Sequence, residues 1–146
     1  MEVTKILKGT KEECFDIILE ALIHDINQET ETEVTVDDIH SGYSYVKILP
    51  NRLGKDGSVN VVIDELEVPT FYQARFESNQ GTNRLSYSLS DNDSESFNLI
   101  YQESFDSPKK MNQWNFKLGN FIYKRSSKKR INIMFDQLQR LLNEEK

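Results

Sequence analysis

Between residues 43 and 105 the apolar side chains return every second position, in five short runs separated by turn signals, and this limits the fold more than any other feature of the chain. A strand presents alternate side chains to opposite faces, so each run can cover a core with one face and meet water with the other. The runs are YSYVKIL (43–49), stopped by Pro50; VNVVIDELEV (59–68), reached through a glycine-containing turn at 54–57; FYQARFES (71–78), after Pro69; TNRLSYSLS (82–90), after the turn signal NQG; and FNLIYQESF (97–105), after DNDSES. Most of the connections have hairpin length, which predicts antiparallel neighbours. Parity then selects the interior rows: Tyr72, Ala74 and Phe76 in the third run, Leu85, Tyr87 and Leu89 in the fourth, and Phe97, Leu99, Tyr101, Glu103 and Phe105 in the fifth. Glu103 stands out there as a carboxylate in an apolar row.

Helices flank the strand series. VTKILKG (3–9) is a short strand closed by Gly9, and Thr10 followed by Glu13 has the spacing of a capping box, which predicts a helix from Lys11. Cys14, Phe15, Ile17, Ile18, Ala21, Leu22 and Ile26 recur at three- and four-residue steps, a stripe broad enough to cover a sheet. The stripe is lost in NQETETEVTV (27–36), while Thr35 and Asp38 repeat the cap spacing and predict a single helical turn over 36–40 before Gly42. Residues 107–123 mix Pro, Gly and Asn with aromatics and read as a loop, or as the start of the last helix. That helix is clear from a cap at Ser126 or Ser127 onward, where Ile131, Met134, Phe135, Leu138, Leu141 and Leu142 share one face.

Composition narrows the class. With 146 residues, one domain with its own core is expected, spanning 1–146. The longest apolar stretches are only a few residues and the opening MEVTKILKGTKEE is not a basic region followed by an apolar one. Neither a membrane span nor a secretory signal is therefore expected, and the expected location is the cytosol. The single cysteine cannot pair internally, and with His24 and His40 sixteen positions apart no metal set is expected. No cofactor is expected either, because a phosphate-cradling glycine loop, a dinucleotide fingerprint and a nucleophile elbow are all missing from the sequence. Residues 1–65 hold 6 Lys/Arg against 14 Asp/Glu, whereas the stretch between Asp106 and Asp136 holds eight basic residues and no acidic one. The net charge of −6 argues against general nucleic-acid binding, so an anion-facing patch would be local.

A strongly bent antiparallel sheet with its helices on one side buries the apolar faces of this order of elements, and a flat sheet under two helices is the rival. The order resembles the helix-grip fold of the START-like superfamily (SRPBCC), which includes the Bet v 1 allergens. There a curved sheet wraps a long carboxy-terminal helix. The opening VTKILKGTKEECFDIILEALIHDI resembles that of the superfamily. Together with HSGYSYVK (40–47) and NLIYQESF (98–105), it is more closely similar to the bacterial family known as domain of unknown function 3284. The resemblance implies an α+β fold with a curved antiparallel sheet of about six strands. It carries over no functional residue, because the family has no motif with an assigned role. Superfamily relatives bind hydrophobic ligands, act as cyclases or hydroxylase domains, or serve as accessory modules.

The expected function is non-catalytic binding of a small hydrophobic or amphipathic ligand between the sheet and the last helix, with 107–123 as a lid. The candidate cavity residues are Tyr43, Tyr45, Tyr72, Phe76, Tyr87, Tyr101, Phe105, Trp114 and Phe135, with Glu103 as a polar anchor beside Tyr101 or Tyr45. An ordinary filled core uses the same aromatics. Glu103 would equally sit solvated or paired with Lys or Arg, and Cys14 in its apolar stripe reads as packing rather than as a nucleophile. A second reading is a ligand-free interaction or regulatory module, monomeric or a homodimer, that docks an acidic surface through the basic 109–130 segment, centred on Lys124, Arg125, Lys128, Lys129 and Arg130. A third is a small hydrolase or cyclase, which requires convergent polar groups inside the cavity.

Overall fold

The computed structural model describes residues 1–50, 56–79, 81–106 and 113–144, with side chains described throughout except at 49, 50, 56 and 113–127. Strand β1 (Glu2–Lys8) leads into helix α1 (Lys11–Thr30), a 3₁₀ turn (Val36–Asp38), strands β2 (Ser44–Pro50), β3 (Asp56–Glu67), β4 (Phe71–Ser78), β5 (Gly81–Asp93) and β6 (Ser96–Asp106), and helix α2 (Gln113–Glu144). The strands form one sheet in the order β1-β6-β5-β4-β3-β2, every neighbour antiparallel. The five consecutive strands pair as hairpins, and β1 returns to the far edge beside β6. Register shifts between Ile63 and Glu65 and between Asp91 and Asp93 supply the local kinks that bend a sheet. The result is a curved six-stranded antiparallel sheet with the carboxy-terminal helix against it, an α+β fold.

Local chemistry explains the boundaries. Thr10 has extended backbone angles and its Oγ1 accepts from the Glu13 amide at 3.1 Å, while Glu12 and Glu13 place negative charge at the positive end of α1. The helix runs to Thr30, past the expected loss of its stripe at residue 27. Asn27 then secures the following loop, donating to the Val34 carbonyl at 3.2 Å and accepting from the Val34 amide at 2.8 Å. Thr35 and Asp38 form the expected capping box on the 3₁₀ turn. Gly81 opens β5 at φ +144, and a Cβ there would collide with the Asp106 carbonyl oxygen, so both backbone angle and space demand glycine.

The last helix differs from expectation. It begins at Gln113 rather than near Ser126, so of the two readings of 107–123 the helical one applies from 113 and the separate lid does not, while 107–112 lie outside the described residues. Gly119, Asn115 and Asn120 are poor helix formers, which hides a helix that does not depend on local propensity.

One buried cluster joins the layers. Phe15, Ile26 and Cys14 from α1, Phe97 and Leu99 from β6, Val61 and Ile63 from β3, and Ile131, Phe135 and Leu142 from α2 are almost completely excluded from solvent. Burying one such phenylalanine or leucine contributes about 1.5–3 kcal/mol, so this shared core is what holds sheet and helices together. Polar ties align the carboxy-terminal half of α2 with β1: the Lys8 amide donates to Gln139 Oε1 at 2.8 Å, and Gln139 Nε2 donates back to the Lys8 carbonyl at 3.1 Å. Among the described residues no helix is long and apolar enough to cross a membrane.

Candidate functional site

The layers do not close completely. A groove of about 340 Å³ remains between α1, the inner face of the sheet and α2. Ile17, Ile18, Ala21 and Leu22 form its α1 wall; Phe76, Leu85 and Tyr87 form its floor; Met134, Leu138 and Leu141 form its α2 wall. Several of these chains are only half-buried, and Leu141 is 40% exposed, so the groove offers apolar surface that the protein itself leaves uncovered. Strand alternation is what aims the floor inward, and the three- to four-residue spacing on each helix is what supplies the walls.

One end of the groove is polar. Asp25 of α1 accepts from the Tyr45 hydroxyl at 2.7 Å through Oδ2 and from Lys47 Nζ at 2.7 Å through Oδ1. Tyr45 and Lys47 share the inward parity of β2, and all three residues line the groove. One turn along α1, Glu29 Oε2 accepts from the Ile48 amide at 3.2 Å, which ties the helix to the edge strand. Burial, and then the hydrogen bond to Asp25, push the Tyr45 phenol well above its ordinary pKa. Burial does the same to Tyr72 and Tyr87. All three are protonated phenols at neutral pH, suited to donating hydrogen bonds and not to acting as bases.

The expected cavity residues divide. Tyr45, Tyr72, Phe76 and Tyr87 come together in the groove. Tyr72, Tyr87 and Tyr101 run side by side across β4, β5 and β6 with ring centroids 6.1 and 5.1 Å apart, but Tyr101 is buried behind the groove. Tyr43 lies outside the groove wall, edge-on to His40 at 6.0 Å. Phe135 is fully buried in the shared core. Phe105 keeps the inward parity of β6 yet is 48% exposed near the strand's end, so parity alone does not bring it under cover. The Trp114 side chain lies outside those described, as do Lys124 and Arg125.

Glu103 is not at the groove. It is 5% exposed, and Arg130 Nη2 donates to its two carboxylate oxygens at 2.8 and 2.7 Å. Burial opposes the charge on Arg130, but the hydrogen bond and charge of Glu103, aided by Tyr101, hold its pKa above the ordinary arginine value. Arg130 is therefore engaged within the protein, whereas Lys128 and Lys129 are exposed. Cys14 is fully buried and desolvation pushes its thiol up to about 12, which keeps the thiolate, the reactive form, scarce at neutral pH. Among the described residues no group of three or more His, Cys, Asp or Glu is placed to hold a metal.

Of the groove residues the sequence pointed to Tyr45, Tyr72, Phe76 and Tyr87, but not to Asp25, Lys47, Leu85 or Gln137, nor to the aliphatic side chains and Met134 that make the two helical walls. The parity of Tyr45 and Lys47 was a usable signal for Lys47; Asp25 announced nothing, because its role depends on how α1 crosses β2.

A curved antiparallel sheet with a long carboxy-terminal helix against its inner face, and a groove between them, is the helix-grip architecture of the START-like superfamily. More narrowly, residues 1–124 match the family described as "Domain of unknown function (DUF3284)", and the chain belongs to that family. Solved structures share the fold at low sequence identity. A protein of unknown function, SA2116, from Staphylococcus aureus is 13% identical with a TM-score of 0.69, covering 99% of this chain and 93% of that one. A START superfamily protein from Mycobacterium smegmatis is 8% identical with a TM-score of 0.66, covering 100% and 98%. Ara h 8.0201 is 10% identical with a TM-score of 0.56, covering 99% and 98%. Comparison with curated protein sequences finds no match.

Proposed function

We propose that residues 1–146 form one cytosolic domain that binds a small hydrophobic or amphipathic molecule in the groove between the sheet, α1 and α2, without transforming it. The observation that carries this reading is the groove itself: about 340 Å³, within the range of roughly 300–1,000 Å³ typical of small-molecule sites, apolar along its length and polar at one end. The START-like fold supports it, since the groove occupies the space between sheet and last helix. The groove's titratable groups also support binding over catalysis: Asp25 is occupied by Tyr45 and Lys47, and the phenols are held protonated. Native mass spectrometry of freshly purified protein beside denatured protein tests the reading. The expected result is a reproducible excess mass lost on denaturation; a bare native mass, with no uptake on adding excess decanol, overturns it.

A further inference from the structure

The two edges of the sheet are finished differently. At β2, Glu29 of α1 accepts from the Ile48 amide at 3.2 Å, and Pro50, of the same parity, has no N–H to offer, which interrupts the outward-directed backbone groups. At β1, the backbone bonds between Met1 and Glu103 fix the alternation: Val3, Lys5 and Leu7 turn their N–H and C=O toward β6, while Glu2, Thr4, Ile6 and Lys8 turn theirs away from the sheet. Gln139 of α2 takes both groups of Lys8. Among the described residues nothing takes those of Glu2, Thr4 and Ile6, so this part of the edge is open and Gln139 marks its end. The side chains of the same residues lie on the outer face, where Ile6 is 57% exposed and Gln102 Nε2 donates to Glu2 at 2.9 Å.

From this edge we infer that β1 pairs antiparallel with β1 of a second copy of the chain, joining the two sheets across a two-fold axis at Thr4. Backbone groups directed outward at alternate positions are their own complement when the partner strand runs antiparallel. The register that uses only the open groups sets Thr4 against the partner's Thr4 and Glu2 against the partner's Ile6, and the ladder then stops where Gln139 already occupies Lys8. On the outer face Ile6 packs against the partner's Thr4, and Lys8 comes within diagonal reach of the partner's Glu2. Charge favours a second copy over an arbitrary extended peptide. A strand that is acidic at its first residue and basic at its last brings opposite charges together when it meets itself antiparallel, whereas parallel pairing sets like beside like. No residue of β1 lines the groove, so the pairing leaves the groove open and stands independently of the binding reading.

A single strand pair covers less than the roughly 1,200–2,000 Å² of a standard stable interface, so the dimer is expected to be weak. Sedimentation equilibrium of the full chain at low salt, from about 10 µM to about 1 mM, reads it: the mean mass should rise from one chain toward two. Thr4→Pro removes an N–H that faces away from β6, and it should abolish the rise in a protein that still melts cooperatively. Ile6→Lys, which leaves the backbone unaltered, should weaken association at least roughly tenfold. Glu2→Lys should weaken it as well, and adding Lys8→Glu should restore much of that loss. A mean mass of one chain throughout overturns the inference. So does a dimer that Ile6→Lys leaves unchanged, one that persists in cooperatively melting Thr4→Pro, or a charge-swapped double variant that associates no more tightly than Glu2→Lys.

Discussion

Arg130 reaches across from α2 to place one nitrogen within 2.8 Å of both carboxylate oxygens of Glu103, a residue 5% exposed on the inner face of β6. The pair joins the helix to the sheet by a charged contact whose acid is buried, whereas the other polar ties between them, Lys8 with Gln139 and Lys5 with Asp136, lie at the surface. A carboxylate at this depth is tolerable only with its partner, since an unpaired buried charge is expensive.

Arg130→Ala leaves that charge unpaired. Removing one member of a fully buried pair costs about 3–5 kcal/mol, and because the Arg130 side chain is 57% exposed the expected loss is reduced to about 1–3 kcal/mol. Glu103→Gln, which removes the buried charge itself, should cost less. Urea unfolding of both variants and their double mutant measures this; an Arg130→Ala loss under about 0.5 kcal/mol, the level of an ordinary surface change, contradicts the role given to the pair.

The Thr10 cap makes a smaller and separable prediction. Thr10→Ala leaves the Glu13 amide without its acceptor and should lower stability by about 1 kcal/mol, with Thr10→Ser nearly neutral. Thermal melts of the two variants decide it, and equal melting temperatures would mean that the cap contributes nothing measurable.

Alkaline pH should unfold the protein in a defined window. Burial raises the Cys14 pKa to about 12, from an ordinary 9.0, and pushes Tyr45, Tyr72 and Tyr87 above the ordinary phenol value of 10.0. The folded state holds these protons while the unfolded chain releases them, so their contribution is full below the unfolded pKa and is lost as pH rises through the folded one. Stability is therefore expected to be insensitive to these groups up to about pH 8.5. Between about pH 9 and 12 Cys14 alone should remove about 1.4 kcal/mol per pH unit, with the phenols steepening the fall above about pH 10. Urea titrations across pH 7–11, with tyrosinate absorbance followed in parallel, check both parts. All six tyrosines titrating near pH 10 in the folded protein would contradict the assignment.

Much of the fold was legible because its signals are local. Thr10 with Glu13 and Thr35 with Asp38 mark helical starts through side chains that reach only three residues, and the period-two runs record which face of each strand is buried. The start of α2 was only partly legible, because Gly119 and two asparagines oppose the helix locally and left 107–123 open between a loop and the start of the helix. The site divides along the same line. Tyr72, Phe76 and Tyr87 follow from parity and do reach the groove, and Glu103 was recognisable as an anomaly in its row. Its partner Arg130 lies 27 residues away on another element, and Asp25 meets Tyr45 across 20 residues. Such pairings are set by how helices cross the sheet, which no sequence spacing records.

The most direct test of the central claim, capture of an apolar molecule in this groove, is a titration of the protein with N-phenyl-1-naphthylamine beside Ala21→Trp. Ala21 lies on the α1 wall and is itself exposed, so the larger ring can occupy the groove without displacing the core. Saturable fluorescence enhancement with one site per chain is expected in the unaltered protein, and its loss in a variant that still melts cooperatively. No saturable binding, or equal binding by both proteins, would contradict it.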